Sequence, residues 1–211
     1  MHIYVFGSIC RGELDKNSDV DLLALTESHD ALLSQEMFSI YSYDRIKFLW
    51  KQGNPFAWHL RLESKLIFSP DKSDFLAELG DPSEYEAYND DFSKFYNLFR
   101  SSRDSLILEN ECRVFDLSSI FLSIRNIATC FSLAALNSPV FSRSSAMNIG
   151  KHSICIDPDA YRVLKRARIL CTRGTGEKIT ENEFSLVMSC LQDIEDWMLN
   201  VLKLESTRER V

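Results

Sequence analysis

The sequence predicts an α/β (α+β) sheet domain over residues 1–70 followed by an all-α helical bundle over residues 71–211. Three observations predict it. Strand-like and helix-like runs alternate as far as Phe68, the pattern of a small sheet covered by helices. Beyond Ser69-Pro70-Asp71 the apolar residues recur at helical spacing almost to the end of the chain. The composition, 45% hydrophobic and 26% charged over 211 residues, suits a folded chain long enough for two small cores.

Taken in order, residues 2–6 read as a strand that runs into a Gly7-Ser8 turn. A second strand covers about 19–25 (Asp-Val-Asp-Leu-Leu-Ala-Leu), and a polar helix is expected at about 29–36. Met37-Phe38-Ser39-Ile40-Tyr41 reads as a third strand. Helices are expected over 43–52 and 54–63, the second opened by Asn54-Pro55, a capping residue followed by a first-turn proline. Lys65-Leu66-Ile67-Phe68 is a fourth strand. In the second half, Phe92, Phe95, Tyr96 and Phe99 form one apolar stripe. Leu117, Ile120, Phe121, Ile124, Ile127, Ala128 and Phe131 form a longer one, and Val163, Ala167 and Leu170 mark a third helix. Phe184, Val187, Met188, Leu191, Ile194, Met198, Val201 and Leu202 mark a fourth. Breaks are expected at Asn137-Ser138-Pro139, around Asp157-Pro158 and at Arg173-Gly174-Thr175-Gly176. An up-and-down bundle follows from this pattern.

The formal net charge of -7 argues against a broad basic surface for duplex nucleic acid but not against a local basic pocket for a triphosphate. Cys10, Cys112, Cys130, Cys155, Cys171 and Cys190 show no Cys-x-x-Cys spacing and most lie in apolar helical patterns. They read as reduced core thiols of a cytoplasmic protein. The chain opens directly on a strand, without the pattern of a signal peptide. The most apolar later stretch, 115–136, is interrupted by Asp116 and Arg125, so no membrane span is expected.

The segment from Gly7 to Leu22 carries the chemistry. A strand ends at Gly7, where a residue without a Cβ lets the backbone turn tightly and approach a ligand. Ser8 adds a hydroxyl and a backbone N–H at the start of a short helix, which suits phosphate. Arg11, one turn later, brings positive charge to the same place. Asp19 and Asp21, two apart on a strand, point to one face. Two converging carboxylates beside a phosphate turn suit a hard divalent cation, Mg²⁺ or Mn²⁺. Ser18 precedes the pair and would fix or cap the loop. Val20 and Leu22 would then face the core.

This spacing of Gly7-Ser8, ten residues, then Asp19-x-Asp21, with Arg11-Gly12 inside it and Ser18 before it, resembles the signature of the DNA polymerase β-like nucleotidyltransferases. It is most similar to their minimal bacterial branch. The likeness extends weakly through Ser39-Ile40-Tyr41-Ser42 and 54–60 to Lys65-Leu66-Ile67-Phe68. The resemblance implies a small mixed sheet, with Gly7 and Ser8 on the triphosphate and Asp19 and Asp21 on the metal. The family pattern also includes a third carboxylate on a later strand, and here that place falls near Met37. Either Glu36, beside it, or Asp44, in the loop that follows, completes the site, or a partner supplies the acid, or activity is weak or absent.

Other residues carry weaker signals. His59, on a helix beside Trp58, is a candidate to touch a nucleobase, though a packed histidine explains it better. Lys47 and Lys51 suit a solvated helix face. Arg162, Lys165, Arg166, Arg168 and Arg173 form a basic cluster, read first as a solvated face and second as a contact for an acidic substrate or RNA. Residues 123–143 look like part of the helical domains that accompany such transferases. Some of those domains are ribonucleases with an Arg followed closely by His, but no histidine follows Arg125 at that spacing. Arg125 is instead expected to pair with a buried acid or a substrate phosphate.

The function expected is therefore Mg²⁺-dependent transfer of a nucleoside monophosphate, AMP from ATP first, to an acceptor hydroxyl. The acceptor would lie between sheet and bundle, and could be a protein partner, a small molecule, an RNA end or an oligonucleotide. The resemblance adds toxin–antitoxin and phage-defence settings, and self-association of the chain is left open. Two alternatives stand beside this: a synthase of nucleotide oligomers with the same fold, and an inactive module that binds a nucleotide or a partner.

Overall fold

The computed structural model describes residues 1–13, 20–27, 33–108, 112–136 and 138–208, with side chains as far as Leu204. Ser18, Asp19, Asn137 and residues 29–32 of the expected polar helix lie outside the described residues. The chain divides into two compact units, Met1–Glu86 and Ala87–Val211.

In the first unit, β1 (His2–Phe6), β2 (Asp21–Thr26), β3 (Phe38–Ser42) and β4 (Ser64–Phe68) form a sheet in the order β3-β2-β1-β4. β1 runs antiparallel to β2 and β4, while β2 and β3 are parallel. Helices α1 (Tyr43–Lys51) and α2 (Pro55–Glu63) and the short α3 (Phe75–Glu78) complete it. Both longer helices begin where their sequences provide caps. The Ser42 hydroxyl accepts from the Arg45 N–H at 3.1 Å. Asn54 Oδ1 accepts from the Phe56 N–H at 2.9 Å, with Pro55 in the first turn. Residues 33–36, expected as the end of a helix, instead lead through a turn at 35–37 into β3.

The core gathers Tyr4, Phe6, Leu23, Leu25, Ile46, Leu49, Trp50, Ala57, Leu60 and Leu76. Burial of each of the larger side chains contributes about 1.5–3 kcal/mol. This arrangement reverses the expected orientation of β2. Leu23 and Leu25 are fully buried against the helices, whereas Val20 is 51% exposed and Leu22 is half-buried. The register pairs Phe6 with Asp21 and Tyr4 with Leu23, so Asp21 stands at the rim of the helix-covered face.

The first unit also extends past the expected boundary at residue 70. Leu76 enters the core, and the Tyr4 hydroxyl donates to Asp74 at 3.0 Å while accepting from the Leu76 N–H at 3.1 Å. The indoles of Trp50 and Trp58 donate to the carbonyls of Gly80 (3.0 Å) and Ser83 (3.1 Å). Arg61 pairs with Asp81 at 2.8 Å. Residues 71–86 thus satisfy polar groups that the helices of the sheet domain present.

The second unit comprises α4 (Tyr88–Ile107), α5 (Arg113–Ala135), α6 (Pro158–Arg173), α7 (Glu181–Ser189) and α8 (Leu191–Arg208), with 3-10 turns at Ser145–Met147 and Gly150–His152. α5 is its central helix: Leu117, Ile120, Ile124, Ile127 and Ala128 have no exposed surface. Among the described residues it alone is long and apolar enough to cross a membrane, and 72% of its most apolar stretch is buried within the protein. Asp116 is satisfied there by the Ser105 hydroxyl at 2.7 Å. α6 stops at Gly174, in the left-handed conformation that ends many helices.

The single helix expected over 184–202 is two. The Cys190 N–H returns to the Val187 carbonyl at 3.0 Å, tightening the turn, and Cys190 and Leu191 are both buried at the bend. The cysteines are free thiols, but only Cys130 and Cys190 are buried; Cys112, Cys155 and Cys171 are exposed. The basic cluster on α6 is largely engaged locally: Arg162 pairs with Asp159, Arg166 with Glu183, and Arg168 donates to Ser118. Arg125 donates to the Phe141 carbonyl at 3.2 Å.

Candidate functional site

The topology brings the C-terminal end of β1 and the N-terminal ends of β2, β3 and β4 to one edge of the sheet. At that edge β1 passes into a five-residue 3-10 helix, Gly7–Arg11. Gly7 has φ +77°, a conformation that a side chain disfavours. Ser8 is half-buried in the first turn, and its carbonyl accepts from the Glu13 N–H at 2.9 Å, closing the loop behind the turn. Phe6, at the N-cap position, has no side-chain oxygen to cap the turn.

Asp21, exposed at the first position of β2, lies directly beside Gly7. A Cβ built on Gly7 would meet Asp21 Oδ2 at 3.0 Å and His59 Cε1 at 3.9 Å. Glycine therefore preserves a cradle with a carboxylate on one wall and an imidazole edge on another. Such a cradle fits a hard cation carrying a phosphate oxygen. Among the described residues no three His, Cys, Asp or Glu side chains converge as a metal cluster; Asp19 and Ser18 lie outside them, so Asp21 is the described half of the expected acid pair.

The other wall is built from α2 and the start of β4. His59 packs edge-on against the Phe6 ring, with centroids 5.7 Å apart. One turn on, its Nε2 lies 2.9 Å from Glu63 Oε2. The same oxygen accepts from Arg11 Nη1, and Arg11 Nε donates to Glu13 at 2.9 Å. Burial alone would raise the Glu63 pKa, but the bond from His59 and the charge and hydrogen bond of Arg11 outweigh it and hold the carboxyl below its ordinary range. Cys10 donates to the Val5 carbonyl at 3.4 Å, and its thiol is pushed up by burial.

The expected site residues are thus distributed unevenly. Gly7, Ser8, Arg11 and Asp21 share the edge. Glu36 sits exposed in the turn before β3, its N–H on the Ser34 hydroxyl. Because Leu22 pairs with Phe38, Met37 stands level with Asp21, and Glu36 one position beyond. Asp44 belongs to the opposite end of the sheet: Thr26 pairs with Ser42, and Asp44 lines a cleft of about 540 Å³ there with His2, Glu27, Lys47 and Asp71. β2 alone separates it from Asp21, a span of roughly 16 Å at the usual rise per residue, so Asp44 does not supply the third carboxylate. Glu63 was not legible as a site residue. Its signal was the spacing of four from His59 on a helix that feeds a strand at the same sheet edge.

Residues 2–80 match the family model described as the nucleotidyltransferase domain. No curated protein matches the chain. The matched span covers the whole mixed sheet, its helices and the Gly7–Asp21 edge, and ends inside the first unit. Over residues 2–80 the chain thus matches the nucleotidyltransferase domain of the polymerase β-like superfamily, and a helical unit follows them.

Proposed function

We propose that the protein transfers a nucleoside monophosphate, AMP from ATP in the first instance, to an acceptor hydroxyl and releases pyrophosphate. The observation that carries this reading is the cradle at Gly7, which keeps open the space beside the Asp21 carboxylate. Asp21, with Asp19 two residues before it, would hold Mg²⁺ or Mn²⁺. When bound, the ion neutralises phosphate charge and makes the acceptor oxygen a better nucleophile. The N–H groups and hydroxyl of the Gly7-Ser8 turn would hold the triphosphate, Arg11 would add counter-charge, and Ser18 would fix the loop ahead of the acids. Glu36, beside Met37, is the acid offered for the third carboxylate. In the transfer, the acceptor oxygen bonds to the α-phosphorus as the bond from that phosphorus to the β-bridging oxygen breaks. The hydroxyl proton passes to a base and the electron pair leaves with pyrophosphate.

The test is incubation of the full chain with each α-labelled nucleoside triphosphate and Mg²⁺ or Mn²⁺. Cell extract is added as a source of protein, RNA and small-molecule acceptors, including a cognate toxin if one exists. Label moving to an acceptor with wild-type protein, and not with Asp19→Asn or Asp21→Asn, supports transfer. Labelled oligomers formed without extract identify an oligomer synthase instead. Met37 at the level of Asp21 favours one rival reading, an inactive binding module. Triphosphate binding with no label transferred under any condition would establish that rival.

A further inference from the structure

Arg11 is the cation that the proposed function assigns to the phosphates, and it does not stand alone. Its guanidinium bridges two acids, with Nε on Glu13 and Nη1 on Glu63. The two acids differ. Glu13 is exposed at the surface, at 51% of its side chain, whereas Glu63 and Arg11 are exposed at only 15% and 19%. Glu63 also has a neighbour on a second side, since Oε2 lies 2.9 Å from His59 Nε2. Its backbone is fixed on both flanks, by the last turn of α2 before it and by the pairing of Ser64 with Phe6 after it.

The geometry points to Glu63 as a positioning residue that holds the Arg11 guanidinium at the phosphate turn, with His59 fixing Glu63 in turn. The inference rests on the nucleotidyl-transfer reading of the Gly7-Ser8 edge. A long arginine on a five-residue 3-10 helix has many rotamers in solvent; one bond to a rigid, half-buried acid selects among them. The fork geometry makes this compatible with phosphate binding. The bonds to Glu13 and Glu63 use Nε and one N–H of Nη1, leaving donors on Nη1 and Nη2 for an anion. The depressed pKa of Glu63 keeps it ionised and paired at neutral pH. The opposite role, an acid that competes with the phosphates for Arg11, predicts the opposite sign on removal of its charge.

The experiment measures Mg²⁺-dependent binding of α,β-methylene-ATP to the full chain by calorimetry, for wild type, Glu63→Gln, Arg11→Ala and the double variant, with thermal unfolding alongside. Where transfer is observed, KM and kcat are measured too. Glu63→Gln is expected to weaken analogue binding about tenfold and to raise KM with kcat within about twofold, the pattern of lost uniform binding. In the Arg11→Ala background the same change is expected to cost nothing further, since the two act as one unit. Analogue binding by Glu63→Gln at wild-type strength or tighter overturns the inference, as does an undiminished loss in the Arg11→Ala background. If Glu63→Gln does not fold, Arg11→Lys gives the decision, because it keeps the charge but loses the planar fork that Glu63 orients. It is expected to bind several-fold more weakly, and wild-type affinity would overturn the inference. Wild-type protein that binds no analogue refutes the transfer reading itself and this inference with it. Wild-type binding with an unchanged Glu63→Gln variant overturns the positioning role alone.

Discussion

Gly7→Ala is the sharpest perturbation of the proposed site, because its effects on stability and on ligand binding can be separated. Gly7 has φ +77°, and an L-residue in that region costs about 1–2 kcal/mol. In a unit of this size each kcal/mol lowers the melting temperature by about 4–8 °C. The new methyl would also stand 3.0 Å from Asp21 Oδ2 where ordinary contact begins at 3.4 Å, so the carboxylate must retreat by about 0.4 Å. The carboxylate is the free end of a side chain and can do so at small energetic cost. Its geometry cannot absorb the change as easily: a 1 Å misplacement of a reacting group costs about 10²-fold, so this smaller one costs on the order of tenfold. Gly12→Ala is the control. Gly12 has φ +72°, and no described atom lies within 4 Å of its built Cβ. Both variants should therefore lose similar stability, and only Gly7→Ala should lose Mn²⁺-dependent triphosphate binding, read by calorimetry at a temperature where both are folded. Equal binding by the two variants would refute the argument that the Gly7 cradle is the metal and phosphate seat.

Two further expectations concern stability. Leu60, with no exposed surface in the sheet-domain core, should cost about 2–5 kcal/mol when replaced by Ala; the midpoint of urea unfolding of the first unit reports it, and an unchanged midpoint would contradict the packing described. Glu183 accepts from Arg166 and closes the capping box with Thr180, which hold its carboxyl at about 2, below the usual 4.5. A depressed carboxylate stabilises above its unfolded pKa and loses that contribution as pH falls through the folded value. Glu183→Gln should therefore lower the melting temperature at pH 7, with the difference shrinking between pH 4.5 and pH 2; a pH-independent difference would show that the charge is not the cause.

Local features were legible in the sequence. β1 gives way to the turn at Gly7, whose φ of +77° disfavours a side chain, and α1 and α2 begin where Ser42 and Asn54-Pro55 cap them. The grouping of Gly7, Ser8, Arg11 and Asp21 follows from spacing along fewer than twenty residues, and the nucleotidyltransferase domain was legible from it. Tertiary structure decided what periodicity leaves open. Leu22-Leu23-Ala24-Leu25 is apolar at both parities, so alternation cannot say which face the helices cover. Packing on α1 and α2 chose Leu23 and Leu25, and Asp21 with them. The boundary after residue 86 depends on tryptophan indoles that find acceptors some 25–30 residues away. The break at Cys190 likewise arises where two adjacent residues are both buried, which one continuous stripe does not require. Glu63 meets Arg11 across 52 positions of sequence only because antiparallel pairing of β1 with β4 returns the chain to the edge where Gly7 stands. Short-range spacing fixes which groups a segment can offer; the sheet's order and register fix which of them meet.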